Sequence, residues 1–154
     1  MSHPLLKTWQ KMSVMPAGKM LFSKAVCFKA PYFASIGPRF NVLEKDYAEV
    51  QIKNSRKVHN HIGTVHAIAM CNMAELSGGT MTEVSIPRSM RWIPKGMTVE
   101  YLKKAQTPML RAQARPTTTI TEGEKQDYPV QVEVKDSDDQ VVFRAMINMY
   151  LSPK

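Results

Sequence analysis

The sequence predicts an α+β fold in which an antiparallel sheet meets one long central helix. Three observations predict it. Runs of alternating apolar and polar residues recur after Arg39, as half-buried strands require. The stretch from Thr64 to Gly79 is apolar almost throughout, the pattern of a helix buried on nearly every side. The strand-like runs follow one another across short polar connections, which favours meandering antiparallel pairing with the helix packed on one face.

The elements follow in chain order. Leu5, Trp9 and Met12 are spaced as one short helical face. Pro16 suits the first turn of a second helix, in which Leu21, Ala25 and Phe28 repeat that spacing. Pro31 and Gly37-Pro38 then punctuate the chain. Tyr47, Glu49 and Gln51 alternate with Ala48, Val50 and Ile52 as on a strand, and residues 54–57 are polar enough for a loop. Four more strands are expected after the central helix, over residues 97–105, 110–119, 128–134 and 141–151. Val130, Val132 and Val134 share one face of the third, and Phe143, Ala145, Ile147 and Met149 one face of the fourth. Asp136 to Asp139 reads as the hairpin turn between them. A single domain is expected overall, with residues 1–38 a helical basic segment packed on a main body of residues 39–154.

Charge is distributed unevenly. The 154 residues carry a net +8, yet no acidic residue precedes Glu44, while Lys7, Lys11, Lys19, Lys24, Lys29 and Arg39 all do. Such an arm favours an anionic partner or forms a solvated helical surface, and it also invites a transit-peptide reading. Against the latter, the arm is not Arg-rich and has no compact apolar core with a small-residue cleavage site. Nucleic acid is not expected, because Trp9, Phe22, Phe28, Tyr32 and Phe33 do not alternate with cations as a base-stacking surface requires. No run approaches the ~18 apolar residues needed to span a bilayer. Cys27 and Cys71 are too few for a disulfide framework or a four-cysteine zinc site. Free thiols fit a reducing compartment, so a cytoplasmic location is expected.

The central helix, expected over about residues 64–79, starts at Thr64 as N-cap and stops at Ser77-Gly78-Gly79. It should run ~20 Å through the fold at ~1.5 Å per residue. His66, Asn72 and Glu75 interrupt its apolar surface. An unpaired carboxylate in such surroundings costs several kcal/mol, so Glu75 must be partnered, partly solvated in a cleft, or shifted in pKa. Each condition also suits a catalytic base.

Asn60 lies six residues before His66, and His66 nine before Glu75. The run Asn60-His61-Ile62-Gly63-Thr64-Val65-His66-Ala67, followed by the apolar helix reaching Glu75, resembles the signature of hotdog-fold acyl-CoA thioesterases. It is most similar to the phenylacetate-type enzymes and their uncharacterised DUF4442-like relatives, and the likeness spans roughly residues 39–151. One departure is visible: the family's Gly-Gly after the histidine is here Ala67-Ile68. Ala67 retains its backbone N–H, while Ile68 narrows the space a second glycine would leave.

The resemblance implies a hotdog fold, an acyl-CoA or acyl-carrier-protein thioester as substrate, and a homodimer or a homotetramer built from two such dimers. It implies Glu75 as general base or nucleophile, the Ala67 N–H as oxyanion donor across the subunit interface, and Asn60 and His66 as positioning groups. Gly63 and Thr64 would border the substrate, and Arg88, Arg91, Lys103 and Lys104 are candidates for the coenzyme's phosphates. No cofactor and no metal are expected: His59, His61 and His66 cluster locally, but His66 is committed to this motif. The alternative is a hotdog protein that binds acyl-CoA or a similar ligand without turnover. A hydratase on the same fold is a more distant reading.

Overall fold

The computed structural model describes residues 2–154. Two N-terminal helices, α1 (Pro4–Ser13) and α2 (Gly18–Lys29), lead through a 3-10 turn at Pro31–Ile36 into β1 (Arg39–Glu44) and β2 (Tyr47–Lys53). A second 3-10 turn at Arg56–Val58 precedes the long helix α3 (Ala67–Ser85). The chain then forms β3 (Met90–Tyr101), β4 (Met109–Pro116), β5 (Gln126–Lys135) and β6 (Val141–Pro153). All six strands join one antiparallel sheet in the order β1-β2-β4-β5-β6-β3.

Alternation in the sequence becomes one apolar and one polar face. Ala48, Val50, Ile52, Leu110, Ala112, Ala114, Val130, Val132 and Val134 are fully buried on the face that α3 covers. On the opposite face Glu49 accepts hydrogen bonds from Asn41, Gln113 and Tyr47. Burial works against ionisation there, but those donors outweigh it and hold the Glu49 carboxyl below its ordinary value.

The helix boundaries differ from the expected ones. α3 runs over Ala67–Ser85 rather than residues 64–79, and is ~28 Å long at ~1.5 Å per residue. Gly78 and Gly79 do not end it; they are places of close packing. A β-carbon on Gly78 would stand 2.9 Å from Ile147 Cδ1, and one on Gly79 would stand 3.0 Å from the Trp92 ring. The helix stops at Ile86, immediately before Pro87, whose ring disfavours a further helical residue. Three of its buried hydroxyls are satisfied locally: Ser77 donates to the Met73 carbonyl, Thr82 to that of Gly78 and Ser85 to that of Met81. Ser85 Oγ also accepts the Asp46 N–H, which ties the end of α3 to the β1–β2 turn.

Two further differences concern α2 and β3. Pro16 lies before α2 rather than in its first turn, and Ala17 is the N-cap residue. The α2 face that packs inward carries Phe22 and Ser23, with Ser23 Oγ accepting the Phe40 N–H at 2.9 Å. Trp9 and Phe40 each meet Phe22 edge to face, with ring centroids 5.1 and 5.4 Å apart. The Leu21–Ala25–Phe28 spacing therefore marks the outer face, where Phe28 is 91% exposed. β3 covers Met90–Tyr101 rather than residues 97–105, and Pro94 sits in it beside a register shift. Proline is tolerated there because β3 is an edge strand with one side unpaired.

Candidate functional site

The loop before α3 is closed largely by one side chain. Asn60 Oδ1 accepts the N–H groups of Ile62 and Thr64, each at 3.1 Å, and Asn60 Nδ2 donates to Thr64 Oγ1 at 2.8 Å. Gly63 supplies the positive φ of 79° that the turn requires. The Asn60 amide is thus committed mainly to shaping the loop, with one amide proton left over. Thr64 is buried inside that loop instead of capping the helix.

His66 is the N-cap of α3. Its backbone is extended, with φ −62° and ψ 138°, and its Nδ1 accepts the Ile68 N–H at 3.0 Å. In the neutral ring that acceptor role leaves the proton on Nε2, directed away from the helix. The His66 carbonyl in turn accepts from Ala69 and Met70. Of the four N–H groups that every helix start leaves without an i→i−4 partner, here those of residues 66–69, three are occupied: His66 donates to the Val58 carbonyl at 2.7 Å, Ile68 to His66 Nδ1 and Ala69 to the His66 carbonyl. Among the described residues, that of Ala67 has no acceptor. A donor free at the positive end of a helix dipole is suited to an oxyanion.

Glu75 lies two turns further along α3 and is exposed. It makes no hydrogen bond or ion pair among the described residues. Of the three conditions expected for it, the structure shows solvation at a cleft: Glu75 lines an opening of about 700 Å³ between α1, α2 and α3. It belongs to a stripe of α3 that also carries Ile68, Cys71 and Gly79. That stripe borders β3, since Cys71 Sγ lies 3.8 Å from Tyr101 Oη, and Gly79 is under Trp92. Ile68, 54% exposed, points to the same open side. β3 itself presents Ile93 at 60% and Tyr101 at 54% exposure beside an unpaired ladder edge.

The four cations expected near the coenzyme divide into two pairs in a single chain. Lys103 and Lys104 follow β3 at the α3 N-terminal end, where Val65 donates to the Ala105 carbonyl. Arg88 and Arg91 lie at its C-terminal end, and Arg91 Nε donates to Ser152 Oγ. Sequence reasoning missed three residues of the cleft, His3, Glu83 and Trp92. Glu83 Oε2 accepts from Trp92 Nε1 at 2.6 Å, and Glu83 Oε1 lies 3.1 Å from His3 Nε2. The available signal was spacing: Glu83 follows Glu75 by eight residues, hence lies on nearly the same helix face.

A six-stranded antiparallel sheet laid against a long helix, with strand order β1-β2-β4-β5-β6-β3, is a hotdog fold of the thioesterase type. The family model "Domain of unknown function (DUF4442)" matches residues 18–151, and the chain belongs to that family. A crystal structure described as genomics APC5556 is 48% identical, with TM-score 0.82 over 97% of this chain and 98% of that one. A Pseudomonas aeruginosa protein of unknown function, PA5026, named a probable thioesterase, is 25% identical; its TM-score is 0.73 over 83% of this chain and 91% of that one. The thioesterase HI1161 of Haemophilus influenzae shares the fold at 11% identity, with TM-score 0.70 over 79% of this chain and 82% of that one. No curated protein matches the chain. Among the described residues, no helix is long and apolar enough to cross a membrane.

Proposed function

We propose that the protein hydrolyses acyl thioesters as a homodimer, with Glu75 of one protomer and the Ala67 N–H of the other serving one substrate. The observation that carries this reading is a pair of groups on α3 that are unspent among the described residues, a carboxylate without a partner and a backbone donor without an acceptor. They are eight residues apart, ~12 Å along the axis, whereas attack and oxyanion stabilisation must converge within ~3 Å of one carbonyl. One helix cannot bring both to the same carbonyl. Two helices related by a two-fold axis can.

The unpaired edge of β3 supports such a pairing. A second copy adding its own β3 antiparallel would continue the ladder and cover the exposed apolar residues beside it. The same symmetry would set the Arg88–Arg91 end of one protomer beside the Lys103–Lys104 end of the other. Cations that a single chain keeps apart would then share a mouth suited to the phosphates of coenzyme A or an acyl-carrier protein.

In the proposed reaction Glu75 takes a proton from water as its oxygen attacks the thioester carbonyl, or attacks directly to give an anhydride that water then opens. Negative charge builds on the carbonyl oxygen and is met by the Ala67 N–H, with His66 Nε2–H close by as a second donor. Gly63 and Thr64, held by Asn60, border the approach. Collapse of the tetrahedral intermediate expels the thiolate, which leaves as free thiol. The test is thiol release from a panel of acyl-CoA thioesters, by wild type and by Glu75→Gln. A loss of at least ~10²-fold in the variant is expected, the scale for a positioned acid or base. Equal rates in the two proteins remove Glu75 from the mechanism. A second reading, binding of acyl-CoA without turnover, is favoured by Ile68 at the open face. It predicts thermal stabilisation by the thioester with no thiol released.

A further inference from the structure

The Glu75 cleft has two unlike ends. Its floor is the face of α3 that carries Glu75, Gly79 and Glu83. Leu5, Met12, Phe22, Val26, Phe33 and Leu76 supply most of its apolar wall. At one end Glu75 is unpaired and Lys29 stands in the wall; the hydrogen bond from Asn72 Nδ2 to Ser35 Oγ joins α3 to the Pro31–Ile36 turn on this side. At the other end both Glu83 oxygens are occupied, one by the Trp92 indole and one by His3. His3 is fixed in turn, because its Nδ1 accepts the Leu5 N–H at 3.2 Å. Between the two carboxylates Gly79 lets the Trp92 ring lie against the helix, so that the indole forms part of the cleft lining.

We propose that this cleft holds the acyl chain of the substrate, and that α1, latched through His3 to Glu83, forms its blind end and sets the chain length. The proposal rests on the thioesterase reading above and names the substrate class of that site. Glu75 to Glu83 is ~12 Å along the helix, and an extended chain advances ~1.2 Å per bond, so a straight acyl group of about ten carbons reaches the latch. A longer chain presses its methyl end against a hydrogen-bonded polar group and strips water from it without replacing it, which is unfavourable. The match to the family model begins at residue 18, so α1 stands outside the matched segment while it walls the cleft.

The experiment measures thermal stabilisation and binding of saturated acyl-CoAs from butyryl to palmitoyl, using the Glu75→Gln protein so that turnover does not consume them. Affinity should rise roughly fourfold per methylene, the value of a buried CH₂, up to about ten carbons and then fall. His3→Ala and Glu83→Leu, the second keeping bulk while removing charge, should move that optimum to longer chains. An unchanged optimum in both folded variants, or affinity indifferent to chain length, overturns the proposal. The two readings fail separately. A shifting optimum with no thiol release by wild type upholds the cleft and removes the hydrolase. Thiol release with no optimum upholds the hydrolase and removes the cleft.

Discussion

Gly78→Ala tests whether α3 really lies hard against the sheet. The new β-carbon would come 2.9 Å from Ile147 Cδ1 and 3.4 Å from Val130 Cγ1, and Ile147 is itself fully buried. Gly78 is within a helix and its φ is not positive, so alanine gains helix propensity of about 1 kcal/mol. Overpacking a full core costs ~1–3 kcal/mol; the net expectation is a loss of about 1 kcal/mol. Ile147→Val removes the colliding methyl and alone costs ~0.5–1.5 kcal/mol. The double variant should be more stable than the sum of the singles predicts, with a coupling of at least ~1 kcal/mol. Urea unfolding of the four proteins, with slopes compared to keep the reference state fixed, gives the cycle. Additivity within ~0.5 kcal/mol would refute the claim that the two atoms compete for one space.

Three more predictions concern the donor of α3, the sharing of the site between subunits and the outer face of the sheet. Ala67→Pro deletes the proposed oxyanion donor alone. Proline is favoured at the first helical position, and the extended His66 backbone before it is compatible, so the fold should persist while thiol release falls by ~10²–10³-fold. Mixing and reassociating Ala67→Pro with Glu75→Gln should restore about a quarter of wild-type activity, because half the dimers would then hold one intact site; no recovery would count against a shared site. Glu49→Gln addresses the depressed carboxyl. A lowered folded pKa adds stability above the unfolded value of ~4.3 that disappears as pH falls through the folded one. The Tm advantage of wild type over Glu49→Gln should therefore be largest near neutrality and shrink at pH ~3, and a constant difference would oppose the assignment.

The sheet was legible where strict alternation met the core; β1 was not placed as a strand of its own, because the irregularity between Phe40 and Val42 breaks its alternation. Val130, Val132 and Val134 alternate with polar residues, and burial followed that alternation at each position. β3 was placed several residues late because its residues face solvent on both sides, leaving little periodicity to read. The position of α3 was legible from its composition, but its ends were not. A glycine pair signals a helix stop by its backbone freedom, and here it serves as an absence of side chains under Trp92 and Ile147. Thr64 looked like a cap, yet the ring nitrogen of His66 does that work. In α2 the spacing of Leu21, Ala25 and Phe28 marked a helix correctly and its inner face wrongly. Periodicity reports that apolar residues line up, without saying which line finds the Trp9–Phe40 cluster. The signature from Asn60 to Glu75 was legible as spacing. The cleft was not, because His3, Glu83 and Trp92 meet only through the fold.

Glu75 poses a question that the single chain does not resolve by itself. An acidic residue in a helix otherwise built for burial is costly if enclosed and of little catalytic value if fully hydrated. On the proposed reading it is neither. The stripe of Ile68, Cys71 and Glu75 faces the side on which β3 lacks a neighbour, so the dimer would enclose the carboxylate only when the second α3 arrives. The same approach would carry the partner's free N–H into reach. Assembly and activation would then be one event, and the carboxylate would avoid the cost of burial while the chain folds alone.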